Sequence, residues 1–357
     1  MPNAHKSDDP NLPVEMPVSV SLKVLVFVKK YLHWLIMAVI TAGLLNLKFF
    51  GGLEVSKTTL VSIVVFWVIF PVMINTDFER VFEHFREPRP VFCSLMLNFI
   101  ISPLIAWGMA HLFLGGYPDL AVALLVIALL PTSAMSAAWT SFSDARMPTA
   151  LYLIPINLLF AAFIGLPFIL PLFSGNQYVI DKFLIIKNIL LVFLTPLILG
   201  DLTRRLLIRM KGESVYQETI KPQLGGISAI GVLTLLFLVI SLKRNLMLLD
   251  NLGMILTILV PVILYYGLMY MISVGWALFL VRRGALPGDK AVVLVYTSVA
   301  RHVNIAMAVI LSTFPMASAP TMILLLIVGY IIQVPSLAVY AQRHGRKMAG
   351  MVFLSRL

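Results

Sequence analysis

Long apolar runs alternate with short polar or basic stretches along almost the whole chain. Crossing the hydrocarbon layer takes about 20 helical residues. Ten stretches meet that length: 31–50, 58–76, 90–113, 119–141, 148–172, 182–202, 223–242, 252–281, 290–313 and 320–342. The pattern predicts an all-α polytopic membrane protein with ten transmembrane helices.

Two of these runs interrupt themselves. The fourth contains "ALLPTSAMSAAWTSFS", Ala128 to Ser143, which sets Pro131, Thr132, Ser133 and Ser136 among small alanines. Proline withdraws a backbone donor and leaves a carbonyl free, and in lipid that carbonyl needs protein or a water-filled cavity. The ninth contains "YTSVARHVNIAMAV", Tyr296 to Val309, with Thr297, Arg301, His302 and Asn304 near its middle. An arginine at that depth costs at least about 2.5–3.5 kcal/mol, so it should face the bundle interior, a cavity or a partner. Asn98 and Ser102-Pro103 in the third run, Asn157 in the fifth and Gln333 in the tenth are weaker marks. Each feature also has a structural reading: a kinked, tightly packed helix whose hydroxyls bond its own backbone, or an arginine that braces a crossing. Tyr265, Tyr266 and Tyr270 read as packing, with no chemistry assigned.

Composition agrees with a membrane class. Hydrophobic residues make up 60% of the 357, mean hydropathy is +0.97, and only 12% are charged, against about 25% in soluble domains. Cys93 is the one cysteine, which excludes a disulfide scaffold and a cysteine metal site. The net charge of +11 would suit nucleic acid, but the basic residues lie between apolar runs, where they set topology and meet anionic lipid. With the N-terminus inside, six of the 27 Lys and Arg residues fall outside (Lys48, Lys57, Lys182, Lys187, Lys243, Arg244) and Arg301 lies within the ninth run, leaving 20 inside. That bias predicts both termini in the cytoplasm. Residues 1–22 lack a signal peptide's basic start and apolar core and read as a disordered cytoplasmic tail, and 344–357 as a second tail.

Spacing hints at duplication. Asp119 opens the fourth run and Asp289 precedes the ninth, 170 residues later, and Pro148-Thr149 and Pro320-Thr321 open the fifth and tenth. Two five-helix sets, 23–172 and 173–343, would have opposite orientations because five is odd. That is the inverted-repeat plan of many secondary transporters, with broken helices at matching positions marking the site. No phosphate-binding glycine loop, metal-binding histidine cluster or nucleophile–base pair is present, so an enzyme is not expected. Passive structure explains paired polar breaks poorly, which disfavours a receptor or scaffold.

The chain also resembles the arsenite efflux permeases, the arsenical-resistance branch of the superfamily that contains the bile acid–sodium symporters. The stretches are "PLILGDLTRRLLIRMKGESVYQETIKPQLG" (Pro196–Gly225), "FPVMINTDFERVFEHFREPRP" (Phe70–Pro90), "VPVILYYGLMYMISV" (Val260–Val274) and "QVPSLAVYA" (Gln333–Ala341). The resemblance implies discontinuous fourth and ninth helices that cross in a core domain (90–172 and 252–342), moving against a panel domain (31–76 and 182–242). It also implies export from the cytoplasm, with proton exchange as the usual drive. Two positions depart from that family: its fourth-helix cysteine is Thr132 here, and its ninth-helix glutamate is Asn304. Thr297 and Arg301 stand where the sodium-coupled branch has its carboxylate and glutamine.

The expected site is therefore Pro131, Thr132, Ser133, Ser136, Asn157, Thr297, Arg301, His302, Asn304 and Gln333, rich in donors and free of carboxylates. It suits a small hydroxylated or oxyanionic solute, with Arg301 offering bidentate bonds. His302 is the core group whose ordinary titration range makes proton coupling feasible. No cofactor, metal or nucleic acid is expected. The partners are the solute, a coupling proton or sodium ion, and the lipid of a prokaryotic inner or plasma membrane. Sodium-coupled symport of a small organic anion is the alternative, and the sequence sets no oligomeric state.

Overall fold

The structure, a computed structural model, describes residues 27–28, 31–75, 87–133, 135–174, 183, 187–188, 191, 194–243 and 252–351. The expected N-terminal tail lies outside the described residues, as do residues 182, 184–186, 189–190 and 192–193 of the sixth run. Regular structure among the described residues is helical, apart from isolated bridges joining Leu53 to Leu242 and Pro131 to Arg301. In chain order the helices are α1 (Leu32–Phe50), α2 (Lys57–Ile74), α3 (Pro88–Phe113), α4 (Pro118–Ala128), α5 (Met135–Phe142) and α6 (Met147–Ser174). They continue as α7 (Thr195–Lys211), α8 (Glu213–Ile240), α9 (Leu252–Arg282), α10 (Gly288–Val299), α11 (Val303–Thr313) and α12 (Ala319–Ala349).

Six of these, α2, α3, α6, α8, α9 and α12, are long and apolar enough to cross a bilayer. Large apolar side chains such as Trp34, Phe50, Phe66, Phe92, Leu172 and Met271 point outward, while Asn98, Asn157, Arg301 and Gln333 are buried. This inversion of the soluble pattern is what a lipid solvent selects. The chain is an all-helical polytopic membrane protein.

Four prolines are absorbed without a break. The residue before each donates its N–H to the carbonyl five residues back: Phe70 to Val65, Ser102 to Leu97, Leu170 to Gly165 and Lys221 to Tyr216. These π-helical turns widen the helix ahead of Pro71, Pro103, Pro171 and Pro222, which lets the chain continue past a missing donor.

Two boundaries differ from the sequence expectation. Residues 203–222 read as a loop, yet α7 runs on to Lys211 and α8 starts at Glu213, with only Gly212 (φ 85°) between them. The basic face of α7, with Arg205 paired to Asp201 at 2.8 Å, lowers hydropathy without interrupting the helix, and the Tyr216 hydroxyl fixes the corner by donating to Ile74 O at 2.8 Å. Likewise α12 continues into the expected C-terminal tail. Met348 is buried there, Arg346 Nε donates to Phe142 O at 3.0 Å, and Gly288 N donates to Met351 O at 3.2 Å.

Helix α8 lies along α1 and α2, and α7 packs on the end of α2. Gly231 meets the Trp67 backbone and Gly200 the Met73–Ile74 backbone with no room for a Cβ, the close approach that small residues permit in membranes. Helix α9 packs on α3, α10 and α12, while α4 sits between α3 and α12. The two groups touch where α2 meets α11 and where α8 meets α12. At the first of these contacts Lys57 Nζ donates to Phe314 O at 3.0 Å and Asn188 Nδ2 to Ser312 O at 3.1 Å.

Candidate functional site

The fourth run is two helices, α4 and α5, and the ninth is two, α10 and α11, and the two gaps face each other. In the first gap Leu129 N still donates to Leu125 O at 3.0 Å, and Pro131 then supplies no donor. Thr132 takes φ 65°, a left-handed conformation that costs an L-residue about 1–2 kcal/mol and suits a β-branched side chain least. Bonds to the other gap hold it there. Thr132 Oγ1 donates to Thr297 O at 2.8 Å, and Ser133 N donates to Ala300 O at 3.1 Å.

The second gap has no proline. Its backbone is fixed from outside by Gln333 of α12, which accepts from Arg301 N at 2.9 Å and donates to Arg301 O at 3.1 Å. Tyr266 of α9 donates to the same Gln333 Oε1 at 3.0 Å, fixing the amide's orientation. His302 N then donates to Leu130 O at 2.7 Å, closing the antiparallel bridge between Pro131 and Arg301. Carbonyls freed by each gap thus find donors in the opposite gap or in a flanking helix, as a break within a membrane requires.

One layer behind the bridge lies the Arg301 side chain, 1% exposed. Nη1 donates to Ala128 O at 2.9 Å and to Asn98 Oδ1 at 3.4 Å, and the guanidinium carbon lies 5.7 Å from the Tyr265 ring centre. Nε and Nη2 have no hydrogen-bond partner among the described residues. Ala128 O also accepts from Ser102 Oγ at 2.9 Å, and Ser102 is bonded to the Tyr265 hydroxyl at 2.8 Å. Asn98 Nδ2 donates to Asn157 Oδ1 at 3.0 Å and to Thr297 O at 3.4 Å, and Asn157 Nδ2 donates to Ser94 Oγ at 2.9 Å.

The expected residues therefore fall in two layers. Pro131, Thr132, Ser136, Asn157, Thr297, Arg301, His302 and Gln333 are buried, whereas Ser133 and Asn304 are half-buried and accessible. Ser136 Oγ reaches Tyr296 O at 3.3 Å, so it joins α5 to α10. Asn304 sits in the first turn of α11, with no side-chain bond to the others. Sequence reasoning missed Tyr265 and Tyr266 as polar partners, since aromatic residues in an apolar run look like packing. Of the Ser94–Asn98–Asn157 cluster, Asn98 and Asn157 surfaced only as isolated weak marks and Ser94 not at all, because its members lie on two different helices.

Comparison with known proteins now bears on this arrangement. The model of the sodium bile acid symporter family matches residues 62–250. The chain belongs to that family. Membership makes it a membrane transporter and not an enzyme. Among curated relatives, the arsenical-resistance protein Acr3 of Corynebacterium glutamicum is 24% identical over 334 residues, covering 88% of each chain. Acr3 of Alkaliphilus metalliredigens is 20% identical over 285 residues, 77% of this chain and 78% of its own. An uncharacterized transporter of Synechocystis is 22% identical over 294 residues, 77% and 75% of the two chains. The resemblance to the arsenical-resistance branch is thus borne out along most of the chain. In this symporter-family member the residue after the helix-breaking proline is Thr132, and the single cysteine, Cys93, is buried in α3.

Proposed function

We propose that the chain is a secondary active exporter in a prokaryotic plasma membrane, moving arsenite or a related small hydroxylated or oxyanionic solute by alternating access. Ten spans with both termini cytoplasmic, arranged as inverted five-helix repeats, complete the reading. The observation behind it is the meeting of four helix ends at the Pro131–Arg301 bridge. Those two residues are separated by the same 170-residue interval as Asp119 and Asp289, and Pro148 and Pro320 each occupy the second position of their helices. This agreement supports a duplication about the site. The packing of α1, α2, α7 and α8 in one group and α3–α6 with α9–α12 in another supports a panel moving against a core.

The solute meets Ser133 and Asn304, and behind them the buried charge of Arg301 favours an anion or a strongly dipolar hydroxylated species in a low-dielectric surround. With threonine in place of a thiol, recognition runs through hydrogen bonds. The arsenical-resistance names of two relatives favour arsenic(III), which hydrogen bonds can hold as a hydroxylated neutral molecule. Lys57 and Asn188 tie panel to core on the outer side, which supports an inward-facing state, with His302 as the proton-coupling group.

A second reading, sodium-coupled symport of a small organic anion, follows from the family's name. Reconstituted vesicles with independently imposed proton and sodium gradients separate the two. Arsenite movement driven by the proton gradient and indifferent to sodium is the expected result. Sodium-driven anion uptake that ignores pH would overturn the export reading, and unchanged arsenite accumulation in expressing cells would remove arsenite as the solute.

A further inference from the structure

We propose that Arg301 is a tethered substitute for a coupling cation, so that this member of a sodium symporter family works with no alkali ion in its core. The guanidinium is 1% exposed, and no carboxylate pairs with it among the described residues. Its bonded partners are uncharged oxygens, Ala128 O at the end of α4 and Asn98 Oδ1 of α3. Thr297 O, at the end of α10, accepts from the Asn98 amide that faces the same guanidinium. Carbonyl and amide oxygens converging from helix ends are the ligand type that a protein offers a desolvated alkali ion. Here the positive charge arrives covalently, on a side chain whose backbone N and O are both clamped by Gln333.

A bound ion in such a place would pin the ends of broken helices, and Arg301 does this by joining α10–α11 to α4 and α3. It also explains the absence of a carboxylate from the cluster. A mobile cation fills a site of neutral oxygens only at a high enough concentration in the surrounding water, whereas a tethered one is delivered by folding and needs no counter-charge to hold it there. Among the described residues Nε and Nη2 have no hydrogen-bond partner, which marks the guanidinium as a group placed for its charge more than for complete hydrogen bonding.

The inference rests on the transporter reading but not on the identity of the solute, and thermal unfolding of the purified protein tests it without any solute. Melting is compared in sodium, potassium and choline chloride at equal ionic strength. The wild-type midpoint is expected to be the same in all three, since a ligand raises the midpoint only if it binds the native state. Arg301→Ala is expected to melt lower in choline and to recover by about 2–4 °C in sodium or potassium, as an alkali ion enters the vacated oxygens. Arg301→Met fills the space without charge and is expected to show no such recovery. A sodium-specific rise in the wild type would overturn the proposal, as would a folded Arg301→Ala whose melting ignores the alkali ions. Should Arg301→Ala not fold, the wild-type comparison still decides. Failure of arsenite export with an alkali-indifferent wild type would sink the solute assignment and leave this proposal standing.

Discussion

The fourth and ninth segments reach the same break by different means. In the fourth, the backbone does the work: Pro131 removes a donor and Thr132 turns through a left-handed conformation at φ 65°. In the ninth there is no proline, and the ends are held by side chains from other helices, above all Gln333. Four other prolines in the chain are absorbed by π-helical turns, so proline alone does not open a membrane helix. What separates Pro131 from Pro71 or Pro103 is the opposing gap, whose Ala300 carbonyl accepts from Ser133 N and whose His302 N–H reaches Leu130 O. A break is stable where a second break satisfies it.

The comparison is broken most severely at Gln333. Gln333→Leu strands Arg301 N and the Tyr266 hydroxyl and leaves Arg301 O with Val303 N alone, and each buried polar group left without a partner costs about 1–3 kcal/mol. Allowing for relaxation, a loss of about 2–5 kcal/mol is expected, with export abolished, read by thermal unfolding and by arsenite efflux from vesicles. A variant that melts like the wild type would mean that the ninth break holds itself.

Asn98→Leu comes next. It takes one acceptor from the Arg301 cation and one donor each from Asn157 Oδ1 and Thr297 O. Hydrogen bonds to charged groups contribute about 1.5–3 kcal/mol, so a destabilisation of that order is expected in the same melting assay. Asn157→Leu should cost less, because Asn157 has no contact with the charge. Equal losses from the two variants would show that the cluster acts through packing and not through Arg301.

Much of this was legible in the sequence. Proline with clustered hydroxyls, and an arginine in an apolar run, violate the rules for membrane helices, and such violations are visible without coordinates. The partners were not. Tyr265 and Tyr266 sit in a run where hydropathy cannot distinguish a lipid-facing tyrosine from one whose hydroxyl bonds Ser102 or Gln333. Nor could local propensity foresee a threonine at positive φ, since the opposite gap imposes that conformation. Residues 203–222 misled for a different reason, as their basic side chains lower hydropathy while α7 and α8 simply continue.

Thr132 sharpens the comparison further. Thr132→Gly relieves the left-handed strain, about 1 kcal/mol, but forfeits the bond to Thr297 O, also about 1 kcal/mol. Stability should therefore stay within about 1 kcal/mol of wild type by denaturant melts. Thr132→Cys removes the β-branch and places a soft ligand beside the accessible layer. Arsenite efflux should rise relative to wild type if arsenic(III) passes this point, and no change would argue that the solute is another hydroxylated species.

The smallest expected effect lies away from the breaks, at Lys57. Its ammonium donates to Phe314 O at 3.0 Å and Ser312 O at 3.4 Å, the carbonyls at the C-terminal end of α11. A cation at a helix C-terminus contributes about 0.3–1 kcal/mol, so Lys57→Gln should barely move the melting midpoint. It should, however, loosen the tie between α2 and α11 and shift a two-state equilibrium several-fold, since each 1.4 kcal/mol is tenfold. Accessibility reads that shift. With Cys93→Ser and Asn304→Cys, an impermeant maleimide added outside should react faster when Lys57→Gln is also present. Unchanged labelling would show that α2 is not a gate for α11, and the tie through Asn188 would then have to hold this contact without Lys57.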